Sequence, residues 1–429
     1  MLPHAASLGG KSRIFASRAS VRIFHRPLGS AHKPLADRDP VIVSFARTPI
    51  GKFNGSLASL SAPQLGAVAI KAAIARAGIQ KNDVEEVLLG NVVSAGIGQA
   101  PARQASMAAG LPVQTIATTV NKVCASGMKA LTLGAQSILL GHADVLVVGG
   151  MESMSNIPYY LPKARSGYRL GHGQLVDGVI FDGLWDPYNN QHMGMCAEKC
   201  ATDFHLSREA QDAYARLSHA RTKAAVEQGL CKEEITPVSI KGRKGEVVVE
   251  TDEQYTGMDP AKLPTLKPAF LKGEGTVTAG NASSLNDGAA AFVLMSAGRA
   301  KAMGQTPLAR ILGFGDAEQE PVDFTTAPSL AVPVALQRAG LSLADVDVHE
   351  INEAFAVVAL ANAKLLGISE DRLNVNGGAV GFGHPIGMSG ARIVGSLLTV
   401  LKQEGKRVGC ASICNGGGGA SAVVLERLG

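Results

Sequence analysis

The chain has 429 residues, 46% of them hydrophobic, with 50 glycines and six cysteines. That length suits roughly two to four domains, and the composition fits a large α/β protein with many tight turns. No apolar run approaches the roughly 20 residues of a membrane span, six cysteines are too few for a disulfide scaffold, and the net charge of +5 makes no case for nucleic acid once its location is considered.

The charge sits at the front. Lys11, Arg13, Arg18, Arg22, Arg26 and Lys33 all precede the first acid, Asp37. Removing them leaves 35 of the 41 basic residues against 36 acidic ones. An Arg-rich, acid-free, weakly amphipathic segment over 1–36 reads as a mitochondrial transit peptide, with a disordered basic tail as the plain alternative.

The folded body is predicted to open with a buried strand over 39–46. A helix follows over 62–77, with Pro63 near its start and Gly78 just past its end, the usual asymmetry of helix punctuation. Residues 83–90 lead into a second strand. Cys124 stands in Asn121-Lys-Val-Cys-Ala-Ser-Gly-Met-Lys-Ala130, ahead of a helical pattern over 130–140 and a strand over 145–150. A cysteine at a helix N-terminus is expected to have a lowered pKa and thiolate character. Alone, it reads equally well as a small core residue.

The same order of elements recurs. Arg76-Ala-Gly-Ile79 then Asp83-Val84 matches Arg338-Ala-Gly-Leu341 then Asp345-Val346, an offset of 262; Cys124-Ala-Ser-Gly-Met128 matches His384-Pro-Ile-Gly-Met388, an offset of 260. A period this long indicates a duplicated domain rather than a short-repeat solenoid. Each half is expected to be a βαβαβ unit, the two packed face to face under helices. Residues 39–155 with 279–300 form the first half, 301–429 the second, and 156–278 an insertion.

The register pairs Cys124 with His384, which suggests a thiol and an imidazole facing each other across the two halves, a nucleophile–base arrangement. Cys414 ends an apolar strand and is followed by Asn415 and four glycines, Gly416 to Gly419. A thiol there can shuttle protons near neutrality. Asn352 lies between a strand and a helix, where it is either an N-cap or the holder of a water or an oxyanion. Cys196, Cys200, Cys231 and Cys410 read as buried thiols, since neither C-x₃-C pair has a zinc-ribbon partner. The glycines around His384 miss the Rossmann spacing, and those after Cys414 lack the G-K-[ST] of a P-loop.

Six motifs in order, N-K-V-C-A-S-G-M-K-A, G-G-M-E-S-M-S, N-A-S-x-L-N-D-G-A-A, N-E-A-F, G-G-A-V-x-x-G-H-P-I-G-M-S-G-A-R and C-N-G-G-G-G, resemble those of the thiolases, above all the mitochondrial acetoacetyl-CoA thiolases. The resemblance implies a duplicated αβαβα layered fold with an inserted loop domain, a homotetramer, and coenzyme A thioesters as substrates: acetyl-CoA, acetoacetyl-CoA and free CoA. Cys124 would be acetylated with His384 as its base, Cys414 would remove a proton from the second acetyl-CoA, Asn352 would hold a water, and the N–H groups of Cys124 and Gly416 would form an oxyanion hole. His192, Met193, Asp259, Lys262, Ala282, Ser283 and Phe324 would meet coenzyme A or the acyl group. Members with a potassium site use carbonyls at positions matching Ala279, Gly280, Ala282 and Val380 together with a tyrosine where this chain has His219, a departure that speaks against potassium. They also have Phe-Pro where this chain has Phe324-Thr325, beside the pocket for a 2-methyl group. A broad-chain 3-ketoacyl-CoA thiolase is the alternative within the family, a ketoacyl-ACP synthase a more distant one, and a non-catalytic CoA-ester-binding protein the alternative outside it.

Overall fold

The computed structural model describes residues 34–242, 245–257 and 259–429. The leader proposed for 1–36 lies outside them up to residue 33. The first half runs β1 (Pro40–Arg47), α1 (Ala62–Ala77), β2 (Glu86–Gly90), α2 (Pro101–Ala109), β3 (Ile116–Val120), α3 (Ser126–Leu139) and β4 (Val145–Ser153). Next come α4 (Met193–Asp203) and α5 (Arg208–Glu227), and β5 (Asn286–Ser296) returns to the first half. The second half runs β6 (Ala309–Glu318), α6 (Pro328–Ala339), β7 (Val348–Ile351), α7 (Ala356–Leu366), α8 (Ile386–Gln403), β8 (Val408–Asn415) and β9 (Gly419–Arg427). The punctuation of α1 explains its bounds: Gln64 accepts from the Ser61 N–H at 2.8 Å, and Gly78 stops the helix at φ 64, a value glycine adopts without strain.

The strands form one sheet in the order β7-β8-β9-β6-β1-β5-β4-β2-β3. The halves do not pack sheet face to sheet face as the duplication suggested. They join edge to edge through a short antiparallel contact, Val41 to Arg310 and Ile42 to Ala309, and helices fill the space between. Nor does the second half copy the first in full. Where β3 has a counterpart position, only a single bridge from His349 to Leu373 is found.

The layers follow from strand alternation. Val41, Val43, Val145 and Val147 face an outer core with Leu65, Ile70 and Ile74 of α1. Ile42, Leu146 and Val148 face a central core with Leu131 and Ile138 of α3 and Ile393 and Leu397 of α8. Ala331 and Leu336 of α6 cover the outer face of the second half, over Leu312 and Val424. α8 is buried nearly all round, as a helix with sheets on two sides and a partner helix beside it must be.

α3 and α8 meet backbone to backbone at their first turns. A Cβ on Gly127 would lie 2.9 Å from the Gly387 carbonyl oxygen, and one on Gly390 would lie 2.6 Å from the Met128 nitrogen. β4 closes the seam: a Cβ on Gly150 would lie 2.0 Å from the Gly387 oxygen. Gly150→Ala is therefore expected to cost about 1–3 kcal/mol, the usual range for overpacking. A urea midpoint equal to that of the parent protein would contradict this seam.

Candidate active site

The crossing of α3 and α8 places Cys124 and His384 on the wall of one cavity of about 360 Å³, together with Gly416. Cys124 stands two residues before α3. Its neighbour Val123 has φ 46, a left-handed conformation that is rare for a β-branched residue. The turn is over-determined by its own polar groups. Asn121 Oδ1 accepts from the Val123 N–H at 3.0 Å, while Ser126 Oγ accepts from the Lys122 N–H at 2.8 Å and donates to the Val123 carbonyl at 2.6 Å. Held strain of this kind clusters at functional sites.

The lowered thiol pKa expected from a helix N-terminus is not found. Burial pushes Cys124 up to about 12, against the opposing pull of the Gly416 backbone N–H. His384 moves the other way. Burial, with the charge of Arg392 adding to it, pushes the imidazole down to about 3. At neutral pH the pair is an uncharged thiol and an uncharged imidazole.

The tautomer of His384 follows from its partner. Nδ1 lies 2.6 Å from Ser389 Oγ, and that hydroxyl donates to the Pro385 carbonyl at 3.0 Å. A hydroxyl has one proton to give, so Ser389 accepts from Nδ1–H. Nε2 is left with a lone pair, and it has no hydrogen-bond partner among the described residues. The loop is fixed by Asn286, whose Oδ1 accepts from the His384 N–H at 3.0 Å. Ser389 and Asn286 both lie inside the motifs already quoted, but their letters give no hint of these roles.

Cys414 and Asn352 are fully buried. Cys414 ends β8, and burial followed by the neighbouring Cys124 pushes its thiol up. Asn352 is not an N-cap. α7 starts at Ala356 with Phe355 in the cap position, and neither amide atom of Asn352 has a partner among the described residues. A buried amide with both ends unpaired is costly and calls for an explanation.

His192, Met193, Ala279, Ala282, Ser283 and Phe324 also line the cavity. Phe270, which the sequence reading missed, stacks on His192 with ring centroids 4.7 Å apart. Asp259 and Lys262 lie elsewhere, on and beside the exposed turn Pro260–Thr265. Gly280 and Val380 are not on the cavity wall; Val380 packs with Ala215 and Leu263. Burial pushes His219 down to about 4, against a hydrogen bond with the Gly280 backbone.

Against this geometry, comparison with known proteins is specific. The family model for the thiolase N-terminal domain matches residues 40–298, and that for the thiolase C-terminal domain matches residues 305–427. The chain belongs to the thiolase family. It is 58% identical to acetyl-CoA acetyltransferase 2 of Arabidopsis thaliana, over 91% of this chain and 98% of the relative. It is 52% identical to the mitochondrial acetyl-CoA acetyltransferase A of Xenopus laevis, over 96% and 99%. The crystal structure of Acat5 thiolase from Ascaris suum in complex with coenzyme A superposes with a TM-score of 0.87 at 46% identity, covering 91% of this chain and all of that one.

A further polar cluster ties the Cys124 turn of this thiolase to its second half. Lys122 Nζ reaches Asp316 at 2.8 Å and the Ala420 carbonyl at 3.1 Å, and Lys129 and Ser421 also bond Asp316. Burial would raise the Asp316 carboxyl, but the bonds from Lys122, Lys129 and Ser421 outweigh it and bring the group down to about 2. A lowered carboxylate stabilises the fold above its unfolded pKa and loses that effect as pH falls through the folded value. Asp316→Asn is therefore expected to lower stability at pH 7 by about 1 kcal/mol, allowing for partial solvent screening. The difference in urea midpoint from the parent should shrink between pH 5 and pH 3, and a constant gap would exclude this linkage.

Proposed function

We propose that this thiolase is an acetyl-CoA C-acetyltransferase, joining two acetyl-CoA to acetoacetyl-CoA and CoA and running the reverse cleavage. The observation that carries the reading is the pairing, on one cavity wall, of Cys124 with an imidazole whose Nε2 has no hydrogen-bond partner among the described residues.

In the forward direction His384 Nε2 takes the Cys124 proton as Sγ attacks the thioester carbonyl. Attack and proton transfer occur together, since a thiol raised by burial does not ionise first. The oxyanion forms at the backbone N–H groups of Cys124 and Gly416, donors worth about 3–4 kcal/mol each in such sites. The departing CoA thiolate takes the Cys414 proton and leaves as the thiol. Cys414, now a thiolate, removes a proton from the methyl carbon of a second acetyl-CoA. The enolate oxygen is met by the protonated His384 and by a water on Asn352, a use for the unpaired amide. The enolate attacks the acetyl group on Cys124, and the expelled thiolate recovers its proton from His384. All three side chains return to their starting states.

Residues 39–155 with 279–300, 156–278 and 301–429 are taken as first half, loop domain and second half, assembled as a homotetramer. The acid-free leader supports delivery to the mitochondrial matrix. The mouth of the cavity admits the pantetheine arm past His192, Met193 and Ser283, with Lys262 and Asp259 towards the nucleotide. The Thr325 hydroxyl engages Cys200, which leaves Phe324 to bound the pocket and 2-methylacetoacetyl-CoA within the substrate range. A neutral His219 bonded to Gly280 takes the place of a cation ligand, so activity is expected to be the same in potassium and sodium buffers.

Intact mass after incubation with acetyl-CoA should show one acetyl adduct that is lost in Cys124→Ser; no adduct in the parent would leave a binding-only protein. Cys414→Ala should still acetylate yet lose condensation by at least 100-fold, and failure at the first step would remove the role given to Cys414. Cleavage should favour acetoacetyl-CoA over 3-ketopalmitoyl-CoA, and the opposite order would identify a broad-chain enzyme.

A further inference from the structure

Glu152, next to the end of β4, is fully buried and has no part in the reaction above. Its carboxylate nevertheless accepts four hydrogen bonds. Oε2 takes the N–H groups of Val92 at 3.0 Å and Gly387 at 2.9 Å. Oε1 takes Asn91 Nδ2 at 2.9 Å and the Val93 N–H at 3.2 Å. An ionised carboxylate has about four lone-pair sites, and all are used. A protonated acid would set an O–H against one of these donors, so the geometry calls for the anion. Burial, opposed by the backbone N–H groups of Val92, Val93 and Gly387, pushes the carboxyl up to about 8, which alone would leave it protonated at neutral pH. Four donors converging on its two oxygens leave no place for that proton, and the anion is the form they fit.

Three of the four donors belong to the first half. The fourth, Gly387, lies in the first turn of α8, three residues after His384. A Cβ there would lie 2.6 Å from Glu152 Oε2 and 2.6 Å from the Met151 carbonyl oxygen. Carboxylate and helix end are therefore fitted to one another, and the positive end of the α8 dipole favours a negative group at this point.

We propose that Glu152 is a positioning residue: from the first half it fixes the first turn of α8, and so sets where His384 Nε2 stands relative to Cys124. This rests on the roles given above to Cys124 and His384. The anion lies close enough to raise Cys124 by its charge, while its hydrogen bonds run to the helix and not to the imidazole. Its contribution is placement, and misplacement by about 1 Å can cost on the order of 100-fold in rate.

The test is single-turnover acetylation of Cys124 by acetyl-CoA, with steady-state cleavage of acetoacetyl-CoA, in the full-length enzyme. Glu152→Gln keeps the shape but turns an NH₂ group towards two N–H donors whichever way the amide lies. Acetylation rate and kcat are expected to fall about 10–100-fold with KM within about twofold, and Glu152→Asp, which restores the charge, should recover part of the loss. Acetylation by a folded Glu152→Gln within twofold of the parent rate, or a rise in KM matching the fall in kcat, would overturn the proposal. Should neither Glu152 variant fold, Asn91→Ala decides. It removes one donor, and the hydrogen bonds of the Asn91 side chain run to Met151, Glu152 and Ser94 rather than to α8, so kcat should fall several-fold with KM unchanged, and a parental kcat would count against positioning. A parent enzyme that is not acetylated at Cys124 instead removes the site reading on which this inference stands.

Discussion

The contact between the first turns of α3 and α8 is the constraint on which the rest of this thiolase depends. Two helices can touch backbone to backbone only where side chains are missing, and Gly127 and Gly390 supply that at the crossing. Gly150 lets β4 close beneath it. Once the helix ends are this close, whatever precedes each of them must share one space. Cys124 precedes α3 and His384 precedes α8, so the site is a consequence of helix packing before it is a matter of chemistry. The same contact explains why the halves are not stacked sheet on sheet. The helix pair occupies that interval, and the sheets can meet only along the edge between β1 and β6.

Burial then sets the charge state of everything near the crossing. A thiol pushed up to about 12 and an imidazole pushed down to about 3 form a neutral pair, because desolvation outweighs the helix dipole in so closed a site. Charges that cannot be neutralised are paired nearby. Arg47 is bonded to Glu234 at 2.7 Å and to Asp252 at 2.7 Å; Arg392 lies 3.8 Å from Glu350. The Phe382 ring, two residues before His384, lies 5.9 Å from each guanidinium. Buried ion pairs contribute little net stability against apolar replacements. The Arg47 pairs tie β1 to Glu234 and Asp252 of the segment between the halves, and the positive Arg392, paired within the second half, helps to keep His384 unprotonated.

What could be read from sequence was what local rules govern. The bounds of α1 are legible because Pro63 and Gly78 punctuate it, and Cys124 could be matched to His384 because a duplication preserves register. The thiol pKa was misjudged, since a dipole can be read from a helix start but burial cannot. Asn352 could be read as an N-cap or as the holder of a water or an oxyanion, because strand-to-helix junctions usually need a cap; only the fold shows α7 starting four residues later and the amide left unpaired. Ser389 and Glu152 escaped notice for a related reason. Each acts through a bond to a helix end or a ring nitrogen that exists only after α8 has packed.

The glycines after Cys414 divide into two kinds on the same grounds. Gly417 and Gly418 have φ of 89 and 96, which non-glycine residues rarely adopt. At Gly419 a Cβ would meet only the side-chain ends of Glu318 and Asn415, at 2.5 and 2.6 Å, which would have to shift. Gly417 and Gly418 are required by the turn between β8 and β9. Gly416 is not. A Cβ there would meet only Met193 Sδ at 3.5 Å and Val123 Cγ1 at 3.6 Å, ordinary contact distances, and its φ is unexceptional. The folded protein by itself gives no reason for glycine at this position. The reason must come from what enters the cavity, and in the proposed reaction that is the acyl oxygen drawn up to the Gly416 N–H beside Cys124.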